Sequence, residues 1–192
     1  MTQMMKRDDC FRILARHVTD EIVIASYSSA AEWSELNPRA LNYFSVGAMG
    51  LASSHGLGLA LGRPDKRILV LDGDGSLLMN LGSLVSIGAA APRNLVHFVC
   101  NNGTYEANGS HPIPNPNVDF SAMAKAAGYA QCHDFSELAS FEQQIGHVLG
   151  QAGPVFATLK VERSKPLTYD YPALYAADKR KALKAALAMR GE

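Results

Sequence analysis

The sequence predicts an α/β domain three layers deep, a mainly parallel sheet between two layers of helices. Short unbroken apolar runs at 22–25, 68–71, 95–100 and 155–161 alternate with segments of helical spacing. The runs do not alternate with polar residues, which marks strands covered on both faces. With 192 residues, 47% of them hydrophobic, the chain can build one sizeable core. No internal repeat and no linker separates two domains.

The elements follow in order. Residues 6–18 carry Phe11, Leu14 and Val18 at roughly helical spacing. Residues 22–25 form a buried strand, followed by a hydroxyl-rich loop, Ser26-Tyr27-Ser28-Ser29. A helix over 30–36 stops before Pro38. Residues 41–44 make a brief strand, and 47–61, rich in Gly, Ala and Ser, a helix that lets another backbone approach closely. Strand 67–72, helix 77–90 and strand 95–100 compose a right-handed βαβ unit. Residues 103–117, rich in Gly, Pro and Asn, are expected to be a loop. Helices over 120–128 and 136–149, a last strand over 155–161 and an Ala/Lys-rich helical tail over 173–189 complete the chain.

Composition excludes several classes. The 18 basic and 18 acidic residues cancel, so no basic stripe for nucleic acid is expected. No apolar run approaches the roughly 18 residues of a membrane span. The polar residues 1–9 lack a signal-peptide core. Cys10, Cys100 and Cys132 are few and scattered, which fits a reducing cytoplasm rather than a disulfide framework.

The chemistry lies at the ends of the βαβ strands. Gly73-Asp74-Gly75 follows the first strand and Asn101-Asn102-Gly103 the second. Two polar side chains ending adjacent parallel strands lie where open α/β sheets bind ligands. Asp74 offers a carboxylate, Asn102 an amide oxygen and the glycine-bounded turn a backbone carbonyl. These hard oxygen donors suit Mg²⁺, with phosphate oxygens and water completing the shell. The helix opening at Ser76-Leu77 points free N–H groups at the same phosphates. A dinucleotide fingerprint is excluded, because its third glycine would fall at Leu78, and no P-loop occurs. Alone, Gly-Asp-Gly is also a common turn composition.

The stretch GDGSLLMNLGSLVSIGAAAPRNLVHFVCNN resembles the cofactor signature of the thiamine diphosphate enzymes. The resemblance implies a flavodoxin-like thiamine diphosphate-binding domain over 1–165, with 166–192 as a C-terminal helical tail. It implies Mg²⁺ or Ca²⁺ held by Asp74, Asn102 and the Thr104 carbonyl. Gly73, Gly75 and Ser76 would contact the diphosphate, with Ser28 and Ser29 adding hydroxyl contacts. The segment Ser45-Val46-Gly47-Ala48-Met49-Gly50 is similar to the family's segment beside the cofactor. The Gly47 carbonyl would then accept from the 4′-amino group, and Met49 would wedge between the two rings. Within the family, the resemblance points to the β subunit of sulfopyruvate decarboxylase and the C-terminal half of phosphonopyruvate decarboxylase. His55 stands where those relatives usually carry an aliphatic residue, and the loop 108–112 only approximates theirs.

Family enzymes pair this diphosphate half with a pyrimidine half that supplies an activating glutamate. The resemblance therefore implies a hetero-oligomer with a pyrimidine-domain α subunit, inactive without it, alongside self-association. Asp72 and Glu106 belong to the wrong domain for that glutamate's role. The expected reaction is decarboxylation of a small 2-oxoacid; carboligation as in acetolactate synthase and a non-catalytic cofactor-binding subunit are the alternatives. His111 is the candidate catalytic residue, either binding substrate anion or moving protons, with a solvent-facing loop histidine as the rival reading. His55 is expected at a subunit contact, His97 in the core, and His17, His133 and His147 at the surface. Tyr105 and Glu106 either touch substrate or pack as part of a lid.

Overall fold

Side chains of the central strands enter opposite cores in turn, which is why none of these runs alternates with polar residues. The computed structural model describes residues 4–164 and 169–188. Its strands are β1 (Ile22–Ser26), β2 (Asn42–Ser45), β3 (Ile68–Gly73), β4 (Leu95–Asn101), β5 (Thr104–Tyr105), β6 (His111–Pro112), β7 (Gln131–Phe135) and β8 (Val155–Lys160). Six of them form one sheet in the order β2-β1-β3-β4-β8-β7, all neighbours parallel. β5 and β6 pair separately as an antiparallel hairpin.

Helices cover both faces. On one, α1 (Arg7–Ala15), α2 (Tyr27–Leu36) and α7 (Leu138–Gly150) bring Phe11, Trp33 and Phe141 against Val23, Leu69, Phe98 and Ala157. On the other, α3 (Ala52–Gly62), α4 (Asp74–Leu78), α5 (Gly82–Ala90) and α6 (Phe120–Ala127) cover Ile24, Val70, Val99 and Phe156. The expected three-layer α/β/α fold is the observed one. After β1 the chain moves outward to β2, then returns to the other side of β1 as β3. That reversal opens a crevice at the carboxyl ends of β1 and β3.

Several boundaries differ from expectation for identifiable reasons. Residues 26–29 are not a loop: Ser26 closes β1, and Tyr27 starts α2 at once with φ of 39°. Residues 47–51 are not helical; Gly47 (φ 96°) and Gly50 (φ 90°) are left-handed, so α3 begins only at Ala52. The expected helix 77–90 is two helices. Between them Met79, Asn80, Ser83 and Leu84 donate three residues back, a tighter winding, while the Asn80 amide turns to the Gly50 carbonyl at 2.9 Å. Residues 103–117 contain the β5–β6 hairpin. β7 carried no apolar-run signal, because this edge strand exposes Gln131 and Asp134.

The tail forms α8 (Tyr171–Tyr175) and α9 (Ala177–Ala188), separated at Ala176; the expected helical end at Met189 lies outside the described residues. Asp170 caps α8 by accepting from the Ala173 N–H at 2.9 Å. Leu174 and Leu183 are buried against the domain. The Tyr175 hydroxyl donates to the Val46 carbonyl at 2.6 Å, and the Tyr169 and Ser28 hydroxyls bond at 2.5 Å.

No Lys, Arg, Asp or Glu occurs over residues 40–62 or 75–92. These stretches supply α3, α5 and most of α4, and they expose Leu51, Leu61, Met79 and Val85. Among the described residues, no helix is long and apolar enough to cross a membrane.

Candidate cofactor and metal site

Register brings the two polar strand ends level. Gly73 of β3 pairs with Cys100 of β4, so Asp74 and Asn102 leave the sheet side by side. They line a cleft with Ser26, Ser28, Ser29, Met49, Gly73, Gly75, Ser76 and Thr104. Arg7, Tyr27, Cys100, Tyr105, Glu106 and Ala107 complete its wall. Of the residues expected to bind cofactor, all but Gly47 line this cleft. Gly47 lies at an exposed turn just outside, beside the Tyr175 hydroxyl. His111 sits on β6, exposed and away from the lining.

Asp74 is buried, and burial pushes its carboxyl up to about 6. Its Oδ1 accepts from the Gly75 N–H and its Oδ2 from the Gly103 N–H, both at 2.7 Å. Those bonds hold the β3 and β4 ends together and favour the charged form, but less than burial opposes it. Among the described residues no cation pairs with it, and no group of three His, Cys, Asp or Glu side chains is placed to hold a metal ion by itself. A buried carboxylate lacking a counter-charge, beside an amide oxygen, fits a single hard divalent cation.

Asn102 is folded into its own turn. Its Oδ1 accepts from the Thr104 N–H at 2.9 Å and hydroxyl at 3.0 Å. The hairpin takes up the Gly103 carbonyl (from Ile113 N–H, 3.1 Å) and the Tyr105 carbonyl (from Ser110 N–H, 3.0 Å). Tyr105 packs on Gly75, where a Cβ would lie 2.5 Å from the ring, so only glycine fits. α4 begins at Asp74, two residues before the expected helix opening, with Ser76 Oγ accepting from the Gly50 N–H at 3.2 Å. That bond ties the Met49 segment to α4 at the cleft.

Two cleft features carry no local sequence signal. Ser26 Oγ donates to Asp72 Oδ1 at 3.0 Å; Asp72 is fully buried, with Oδ2 3.5 Å from His97 Nε2. His97 lies in the core as expected and bonds the Tyr129 hydroxyl through Nδ1 at 3.1 Å, but its buried Nε2 makes no hydrogen bond, so the expected satisfied histidine is only half satisfied. The other is Arg7. Its Nε and Nη2 fork onto Glu32 at 2.8 and 2.7 Å, and its Nη1 donates to Glu106 at 2.5 Å. Burial opposes its charge, yet the Glu32 bond and neighbouring carboxylates more than offset this and raise its pKa. His55, on α3, bonds Ser45 at 3.1 Å, and burial lowers its pKa.

Comparison with known proteins places this geometry. Residues 24–158 match the thiamine pyrophosphate enzyme C-terminal TPP-binding domain. The chain is 36% identical over 172 residues to the sulfopyruvate decarboxylase subunit beta of Methanothermobacter thermautotrophicus, covering 89% of this chain and 88% of that one. It is 38% identical over 151 residues to the phosphonopyruvate decarboxylase of Streptomyces viridochromogenes. That match covers 78% of this chain but only 38% of the relative's length. Among solved structures, benzoylformate decarboxylase from Polynucleobacter necessarius superposes with a TM-score of 0.71 at 20% identity, over 85% of this chain and 34% of that one. The sheet order, the cleft at its switch point and these matches agree: the chain belongs to the thiamine pyrophosphate enzymes, as a member of their C-terminal, cofactor-binding domain family.

Proposed function

We propose that this chain is the diphosphate- and Mg²⁺-binding subunit of a thiamine diphosphate-dependent 2-oxoacid decarboxylase, of the sulfopyruvate or phosphonopyruvate type. The carrying observation is the buried Asp74 carboxylate, held without a counter-charge beside Asn102 at the switch-point cleft. Relatives named as sulfopyruvate decarboxylase β subunits support the reaction class. We assign residues 1–165 as the cofactor-binding domain and 166–192 as its tail, in a cytoplasmic protein.

In this reading Asp74, Asn102 and the Thr104 carbonyl hold Mg²⁺ or Ca²⁺. Ser28, Ser29, Gly73, Gly75 and Ser76 line the diphosphate seat, the Gly47 carbonyl receives the amino group, and Met49 shapes the ring seat. When bound, the cofactor supplies the electron sink that lets a 2-oxoacid lose carbon dioxide. The chain's residues would orient it and hold the cation that neutralises its diphosphate. His111 faces outward on the hairpin, where contact with substrate requires a partner's surface to close over it.

Activation requires a carboxylic acid free to exchange a proton with the pyrimidine ring. The two carboxylates lining the cleft are both committed: Asp74 to two backbone N–H groups, Glu106 to Arg7. This supports a glutamate supplied by a pyrimidine-domain partner. The uncharged faces of α3 to α5, with Leu51, Met79 and Val85 exposed, suit an apolar subunit contact.

Titration calorimetry should give metal-dependent thiamine diphosphate binding that Asp74→Ala plus Asn102→Ala abolishes. Unchanged binding in the double variant would remove the metal assignment. Co-purification from the native cell, followed by a 2-oxoacid panel with 3-sulfopyruvate, should recover a second chain required for turnover. Full turnover by this chain alone would overturn the half-site reading.

A further inference from the structure

Glu106 occupies an unusual position for a carboxylate. Its side chain is 9% exposed, and it meets three donors, of which Arg7 and Ser164 are distant in the chain. Oε2 accepts from Arg7 Nη1 at 2.5 Å and from Asn102 Nδ2 at 3.2 Å; Oε1 accepts from the Ser164 N–H at 3.1 Å. Arg7 already has a complete two-point partner in Glu32. The second carboxylate is therefore not needed to neutralise the guanidinium, and burying an extra negative charge is costly.

What Glu106 adds is a hold on the nitrogen side of an amide whose oxygen accepts from Thr104. An ionised carboxylate only accepts hydrogen bonds, so the Asn102 face turned to Glu106 must be its NH₂. The Asn102 oxygen is thereby committed to the opposite side, in the turn with Thr104. Without Glu106 the NH₂ loses its acceptor, and only the Thr104 N–H and hydroxyl hold the oxygen in place. Charge points the same way. Arg7 pairs with both Glu32 and Glu106, and Asp74 on the same cleft wall has no cation of its own, which leaves surplus negative charge that a divalent cation would neutralise.

We propose that Glu106, anchored by Arg7, is a positioning residue for Asn102 that keeps the amide oxygen turned toward the metal seat. This rests on the reading of Asp74 and Asn102 as metal ligands. The arrangement couples three segments to one ligand atom: α1 through Arg7, the turn after β4 through Glu106 and the segment after β8 through Ser164. Residues supporting a metal ligand typically change metal affinity about 10–100-fold when removed.

The test is Mn²⁺ titration of the full chain, followed by electron paramagnetic resonance with saturating thiamine diphosphate. Glu106→Ala should weaken Mn²⁺ by about 10–100-fold, and Glu106→Gln, which keeps one acceptor for the amide, should recover part of that loss. Glu32→Gln also disturbs Arg7 but leaves the Glu106–Asn102 bond. It should lower the melting temperature with Mn²⁺ affinity unchanged. If Glu106→Ala merely lowers the melting temperature as Glu32→Gln does, while Asp74→Ala still abolishes Mn²⁺ binding, the positioning role is wrong and the metal reading stands. If Asp74→Ala leaves Mn²⁺ binding intact, the metal reading itself is wrong and the proposal falls with it.

Discussion

Asp74 sets the pH behaviour of the metal-free cleft. Its folded pKa, raised by burial to about 6, exceeds the ordinary 3.8 of the unfolded chain. The folded state therefore holds this proton more tightly. The associated stability is complete below about 3.8 and is lost as pH rises through about 6. Two units correspond to about 3 kcal/mol, an upper figure for one buried acid. Urea unfolding of the metal-free chain across that window should show the loss, and Asp74→Ala should flatten it; parallel curves would contradict the assignment. Gly75→Ala makes a second residue-scale prediction. Its new methyl would meet the Tyr105 ring at 2.5 Å, so the ring must shift. A stability loss of about 1–3 kcal/mol by denaturant unfolding is expected. Asp74 and Asn102 were legible in the sequence because each follows its own strand directly. Arg7 was not, because its partners Glu32 and Glu106 lie 25 and 99 residues away and no local pattern joins them.

At the scale of elements, apolar continuity made β1, β3, β4 and β8 readable, and the same criterion missed β7, whose exposed edge is polar. The segment 47–51 was misread because small residues look helical on paper; only backbone geometry reveals the left-handed Gly47 and Gly50. Gly47 also receives the tail. A Cβ there would lie 1.3 Å from the Tyr175 hydroxyl, at a φ that side chains resist. Gly47→Ala should therefore unseat α8, seen as faster proteolysis and amide exchange over residues 169–188. Tyr175→Phe, which removes only the bond to Val46, should cost about 1 kcal/mol and leave the tail protected. Equal protection in Gly47→Ala would show that the tail is not held there.

For the whole molecule, charge is distributed unevenly although it sums to zero. All 36 formal charges lie outside residues 40–62 and 75–92, while those stretches expose Leu51, Leu61, Met79 and Val85. Such a face has nothing for dissolved ions to screen. Assembly through it should resist sodium chloride and tighten in ammonium sulfate, as apolar burial does. Sedimentation at rising salt reads this directly, and dissociation by sodium chloride would place the contact elsewhere. The same face makes the chain poorly suited to solitude: produced by itself, it should bind hydrophobic dyes and self-associate as concentration rises, until a subunit that covers α3 and α5 restores a fully wetted surface.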